Sequence, residues 1–326
     1  MNKKIIPIVA LTVLLIVLAG CNGGQKQQGV AGSQFVGGTQ GLELSFVAGT
    51  PPDKVFDTGQ PFGISVRLVN KGDYSIENTA DATVTISGID PADFGVTAAD
   101  LKHDSPDPLR GAQKDASGNA VSGADVTIDF PAAGSTMQHQ KTIAGSVSYN
   151  VRADVCYEYK SITNTKLCIL EDILGTEGKT NTLCQINEVK TIDNSGAPVQ
   201  IESQSFRESV SSSNKVAFVF KVKSVGTGTV HEKLSECDGS FQKKDKVHIK
   251  VDTGLSDGLT CSGLQNGAAS GTTFEGDATL LNGEREIRCT QTVNNPTDLE
   301  KLVTIELGYD YKQFVNKPLV VQHVGG

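Results

Sequence analysis

Apolar and polar residues alternate at period two along much of this chain, and helix-period stretches are scarce. Ile64, Val66 and Leu68 alternate with polar or small residues before Asn70-Lys71-Gly72 turns the chain. Val147, Tyr149, Val151, Ala153, Val155, Tyr157 and Tyr159 fall on one face of a longer stretch. Alternation of this length means strands with one buried face. Both signatures recur. Phe218, Phe220 and Val222 precede Ser224-Val225-Gly226, so a shift of 154 places Ile64 on Phe218 and Gly72 on Gly226. Val303, Ile305, Leu307, Tyr309 and Tyr311 lie 152 residues after Val151, Ala153, Val155, Tyr157 and Tyr159. Two anchors at nearly one offset imply a tandem duplication, or at least two similar folds. Short strands separated by Gly-, Asn-, Ser- and Asp-rich turns predict an all-β protein of two tandem antiparallel sandwiches. The tyrosine pairs are expected to be inward core residues with hydroxyls at the rim.

The chain opens with Asn2-Lys3-Lys4, an apolar run from Ile5 to Ala19, and small residues, the pattern of a secretory signal. The run is shorter than the roughly 20 apolar residues of a spanning helix. Leu18-Ala19-Gly20-Cys21 resembles the lipobox of prokaryotic lipoproteins. The resemblance implies cleavage before Cys21 and attachment of diacylglycerol to its thiol. Each buried acyl methylene contributes about 0.8 kcal/mol, so two or three chains hold a protein firmly. Residues 22–41 are rich in Gly, Gln, Ser and Ala, and this composition predicts a flexible tether of roughly 25 Å mean reach. The expected layout is a signal peptide over 1–20, lipidated Cys21 and tether over 21–41, one sandwich over 42–172, a connector over 173–183 and a second sandwich over 184–326. The strand-then-Asn-x-Gly pattern resembles the CARDB-like, immunoglobulin-like modules of bacterial and archaeal surface proteins. The whole layout, with Cys156-Tyr157-Glu158-Tyr159 followed by Cys168-Ile169, is similar to archaeal surface lipoproteins.

Acidic residues outnumber basic ones, 37 to 29, and there is no Trp. An acidic chain without basic clusters argues against nucleic-acid partners and against adsorption to anionic lipid. The cysteines are seven: Cys21, Cys156, Cys168, Cys184, Cys237, Cys261 and Cys289. With Cys21 lipidated, six remain, and an even number in an exported protein favours disulfides over a metal centre. Cys156 and Cys168 are expected to face each other across a hairpin turning at Ser161 to Asn164. Cys261 and Cys289 belong to two strands around a Gly-rich stretch. Elimination then pairs Cys184 with Cys237, and Cys168 with Cys184 is the chief rival.

Candidate chemistry is sparse. Gly254-Leu255-Ser256-Asp257-Gly258 matches the G-x-S-x-G nucleophile elbow, but the residues after it do not open a helix, which the elbow requires. The excursion from Asp90 to Asp125 collects acids, and Asp104, Asp107, Asp115, Asn119 and Asp125 are candidates for a partner-contact or Ca²⁺ loop. His231 and His248 are expected at the surface. No catalytic residue, cofactor or resident metal is expected. The expectation is a non-enzymatic, extracytoplasmic protein, anchored to membrane lipid through Cys21. It would bind or space through its domain loops, with an envelope or extracellular protein or a glycan as partner. The alternatives are a carbohydrate-binding lipoprotein and an extracellular hydrolase using Ser256.

Overall fold

The computed structural model describes residues 32–175, 183–256, 258–294 and 296–324. Cys21, the signal segment and most of the expected tether therefore lie outside the described residues. The first half contributes β1 (Leu42–Phe46), β2 (Lys54–Phe56), β3 (Ile64–Asn70), β4 (Ala82–Ser87), β5 (Lys102–Asp104), β6 (Gln113–Lys114), β7 (Ala120–Val121), β8 (Asp125–Phe130) and β9 (Ser146–Ile169). The second contributes β10 (Asp193–Asn194), β11 (Val199–Ile201), β12 (Arg207–Ser212), β13 (Lys215–Ser224), β14 (Thr229–His231), β15 (Lys246–Asp252), β16 (Leu259–Ser262), β17 (Gln265–Ser270), β18 (Thr273–Thr279), β19 (Glu284–Thr292) and β20 (Leu299–Gln322). Only short 3₁₀ turns interrupt the strands, and there is no α-helix among the described residues. The all-β expectation holds.

One ten-stranded sheet runs β17-β18-β15-β20-β9-β4-β5, with β10 also on β9 and β14 and β2 also on β20. Two smaller antiparallel sheets accompany it, β1-β3-β8 from the first half and β11-β13-β19-β16, with β12 on β13, from the second. At the centre of the large sheet β9 and β20 pair antiparallel over their full 24 residues, from Ser146 opposite Gln322 to Ile169 opposite Leu299. The two strands exchange ends between the halves. The first part of β9 borders β4, but its last part borders β10 of the second half. The first part of β20 borders β15, while Val320 to Gln322 pair with Lys54 to Phe56 of the first half. Consequently one buried cluster runs from Leu42 to Val321 without a break. The long strands lie within the expected divisions, β9 in 42–172 and β20 in 184–326, and each also borders a strand of the other half.

The two halves share one packing arrangement around their tyrosine pairs. Tyr157 opposes Tyr311 and Tyr159 opposes Tyr309 in the ladder, and all four rings are at most 1% exposed. Each hydroxyl accepts a backbone N–H, a requirement for burying a phenol at little cost. Tyr157 Oη takes Leu42 N at 3.2 Å and Tyr309 Oη takes Val199 N at 3.3 Å. Tyr159 Oη takes Tyr74 N at 3.3 Å and Tyr311 Oη takes Gly228 N at 2.6 Å. Gly72 lies against the Tyr159 hydroxyl and Gly226 against that of Tyr311, with no room for a Cβ at either. The shift that aligned these glycines in sequence aligns them in space.

No hairpin forms at Ser161 to Asn164, and this corrects the expected Cys156–Cys168 pair. The polar run Ser161-Ile162-Thr163-Asn164-Thr165 continues β9, with Ser161, Thr163 and Thr165 turned inward. Their hydroxyls are satisfied there. Ser161 Oγ donates to Val199 O and meets Tyr309 Oη at 2.8 Å; Thr163 Oγ1 reaches Asn194 Oδ1 and Thr165 Oγ1 reaches Thr191 O. Twelve residues of extended strand span about 40 Å, so Cys156 and Cys168 cannot meet. The disulfides are Cys156–Cys237, Cys168–Cys184 and Cys261–Cys289. The expected Cys184–Cys237 pair falls with the first, the rival Cys168–Cys184 is present, and the third pair is the one the strand pattern named. Three disulfides fit an oxidising, extracytoplasmic environment. No helix among the described residues is long and apolar enough to cross a membrane.

The tether expectation is corrected at its end. Residues 33–41 are pinned where the two halves meet, because the Asp73 carboxylate accepts Val36 N at 2.8 Å, Gly37 N at 3.0 Å and Gly196 N. Gly38 O accepts Ala197 N and the Gln200 side chain. Composition indicated flexibility, but glycine N–H and C=O groups met partners from both halves.

Candidate functional site

On β9 the odd-numbered residues face the core, which leaves Asp154, Cys156 and Glu158 on the other face of the large sheet. That face carries a cleft of about 770 Å³. Its floor is Thr83 and Thr85 of β4, Asp154, Cys156 and Glu158 of β9, and Lys312 of β20. One wall is the segment between β14 and the short 3₁₀ turn that begins at Phe241, with Leu234, Glu236 and Cys237 facing the cleft. The Cys156–Cys237 disulfide ties this wall to the floor. Beside it lies Asp310, 2% exposed, whose Oδ1 accepts Leu234 N at 3.0 Å while Oδ2 accepts Ser235 N at 2.8 Å and Ser235 Oγ at 3.3 Å. Leu234, Glu236 and Cys237 have φ of 60°, 51° and 52°. Left-handed backbone at three non-glycine residues so close together is costly and persists only where surrounding contacts over-determine it.

Six carboxylates line the cleft (Asp81, Asp104, Asp154, Glu158, Glu236 and Asp310) against two lysines, Lys102 and Lys312. Several are already engaged. Arg152 holds Asp154 through two hydrogen bonds of 2.7 and 2.8 Å and lies 3.7 Å above the Phe314 ring. Lys233 meets Glu158 at 3.3 Å, and Thr83 donates to Asp104 at 2.6 Å. The cleft keeps an acidic character that suits cationic groups better than anionic ones.

The excursion acids are not gathered into one site. Asp104 lines the cleft. Asp107 is exposed, and its carbonyl accepts the Ser105 hydroxyl. Asp115 closes the β6–β7 hairpin by accepting Ser117 N, Asn119 N and the Asn119 side chain, and these bonds, the Asn119 backbone first, hold its carboxyl below the usual range. Asp125 starts β8 and is paired with Arg67 across to β3. Asp115 and Asp125 are each satisfied by their own neighbourhood. Ser256 is exposed in a loop between β15 and β16, a strand–loop–strand context without the following helix of an elbow. His248 is half-exposed beside Asp277 at 2.9 Å, but His231 is 5% exposed, which corrects the surface expectation; desolvation lowers its pKa. The segment from Glu232 to Asp245 folds back over β14 and encloses it.

A second buried charged group lies at the far end of β9. Glu208 of β12 is 2% exposed, and both its oxygens accept the Cys168 N–H, at 3.0 and 3.1 Å. Lys190 approaches at 3.3 Å. Burial pushes the Glu208 carboxyl up to about 7, despite the opposing Cys168 and Lys190 contacts.

Sequence reasoning missed Cys156, Cys237 and Asp310 as a group, although their ligand atoms lie within 4.8 Å of one another. Nothing local marks residues so far apart in the chain. No protein-family model matches the chain, and no curated protein matches its sequence.

Proposed function

We propose that this is a lipid-anchored extracytoplasmic surface protein, held at Cys21, whose immunoglobulin-like halves act as a rigid spacer or binding module. The observation that carries the reading is the cysteine arithmetic. Six of the seven cysteines are joined in three disulfides, and the one left over, Cys21, is the residue that closes Leu18-Ala19-Gly20-Cys21. Rigidity has a structural source, since a 24-residue ladder joins the halves where a flexible linker would let them swing. The acidic cleft is the surface offered to a partner.

The test is an intact mass of membrane-extracted protein before and after reduction, with alkylation. The expected mass begins at Cys21 with added acyl chains, and six thiols alkylate only after reduction. A mass retaining residues 1–20, or one beginning at Cys21 without added acyl chains, overturns the anchor. Cross-linking on intact cells separates a binder, which gives a reproducible partner at cleft residues, from a spacer, which does not.

A further inference from the structure

The Cys156–Cys237 disulfide is not needed to join the halves, which the β9–β20 ladder already locks together. What it fixes is the wall of the cleft, a segment held in left-handed backbone at Leu234, Glu236 and Cys237. Asp310 supports the same segment from behind through Leu234 and Ser235. Both sulfurs and an Asp310 carboxylate oxygen therefore converge, within 4.8 Å of one another, at the edge of an open cleft.

We propose that Cys156, Cys237 and Asp310 are a latent site for a thiophilic divalent cation of the zinc class, masked by the Cys156–Cys237 disulfide and opened when a dithiol reduces it. Reduction transfers two electrons and two protons to the disulfide, whose S–S bond breaks to give two thiols, while the dithiol closes to its own disulfide. The cation then displaces both thiol protons and binds two thiolates and one carboxylate oxygen. Ligand bonds of about 2.3 Å to sulfur and 2.0–2.2 Å to oxygen place tetrahedral ligand atoms roughly 3.3–3.8 Å apart. The sulfurs must therefore separate from their bonded distance, and the Cys237 segment, freed of the S–S bond, supplies that movement; Cys156 stays fixed on the central strand. Asp310 is already oriented by three donors, as outer-shell partners orient metal ligands. Lys312, opposite Cys156 in the ladder, offsets the residual negative charge of two thiolates and a carboxylate around a dication. Water from the cleft completes the fourth position. The inference stands independently of membrane attachment.

The experiment uses the full-length protein in detergent, reduced by a phosphine in place of the dithiol, the phosphine taking oxygen from water, and titrated with Co²⁺ alone. The expected result is thiolate-to-cobalt charge-transfer absorption that saturates at one Co²⁺ per chain, absent without reduction. Cobalt-edge X-ray absorption should show two sulfur and two oxygen neighbours. Cys156→Ser/Cys237→Ser should abolish the absorption while far-UV circular dichroism stays unchanged, because the ladder does not depend on the disulfide. Asp310→Asn, which removes the carboxylate ligand, should weaken Co²⁺ binding. No charge-transfer band after reduction, an equal band in the double serine variant, or three or more sulfur neighbours would overturn the proposal.

Discussion

Alanine at Gly226 should destabilise the protein mainly through one side chain, and replacing that side chain should restore much of the loss. A Cβ at Gly226 would overlap the Tyr311 hydroxyl and come within 2.8 Å of Pro198 Cβ and 3.1 Å of Tyr311 Cζ. The tyrosine must then shift, breaking its 2.6 Å hydrogen bond from Gly228 N inside a packed ring cluster. Overpacking costs about 1–3 kcal/mol and an unsatisfied donor about 1–3 kcal/mol, so Gly226→Ala should cost roughly 2–6 kcal/mol. Tyr311→Phe alone should cost about 1–2 kcal/mol, because it only removes the acceptor. Together they should cost less than their sum by at least about 1 kcal/mol, since the phenylalanine no longer presents the clashing oxygen. The matching glycine supplies the control. At Gly72 a Cβ would meet not only the Tyr159 hydroxyl but also Gly196 O and, at 2.6 Å, Gln40 O. Backbone oxygens cannot be mutated away, so Tyr159→Phe should rescue Gly72→Ala far less. Urea unfolding of the oxidised protein, with a double-mutant cycle at each site, reads both couplings. Additive costs at Gly226, or equal rescue at both sites, would refute the reasoning from close packing.

Glu208 should make stability depend on pH in the direction opposite to an ordinary ion-paired carboxylate. Its folded pKa of about 7 lies above the ordinary 4.5, so its contribution is fully present below about 4.5 and is lost as pH rises through 7. The rise corresponds to about 3 kcal/mol, and Glu208→Gln should remove that much of the fall in urea stability between pH 4 and 8; a variant with the wild-type slope contradicts the assignment. Non-reducing peptide mapping should yield Cys156 linked to Cys237 and Cys168 linked to Cys184, and a Cys156–Cys168 peptide would mean that β9 bends after all. Asp73→Ala strips Val36, Gly37 and Gly196 of their acceptor, so hydrogen exchange over 36–41 should accelerate by roughly tenfold or more while the β9–β20 ladder stays protected. Unchanged exchange there would show that Asp73 does not hold the segment.

The strands, their buried faces and the repeated Gly and Tyr signatures were legible in the chain because they are local or periodic properties. Alternation from Val151 to Tyr159 fixes which side chains enter a core whatever the neighbouring strand is, and Gly72 and Gly226 mark their tyrosine contacts through matching offsets. Where polar residues broke the apolar pattern, that reading failed. Ser161, Thr163 and Thr165 look like a turn, yet they lie inside a strand because Val199, Asn194 and Thr191 supply partners that only the folded second half brings near. The same gap hid the cleft and its cysteines. Once β9 is straight, Cys156 and Cys168 are separated by the length of the strand, and each bonds to what the other half places beside it. The sequence by itself determined an all-β chain of two similar halves with inward tyrosines. The tertiary structure alone decided that the halves share their longest strands, which cysteines meet, and that Asp310 stands behind the disulfide, because strand partners are chosen by register and burial summed over residues some 150 positions apart.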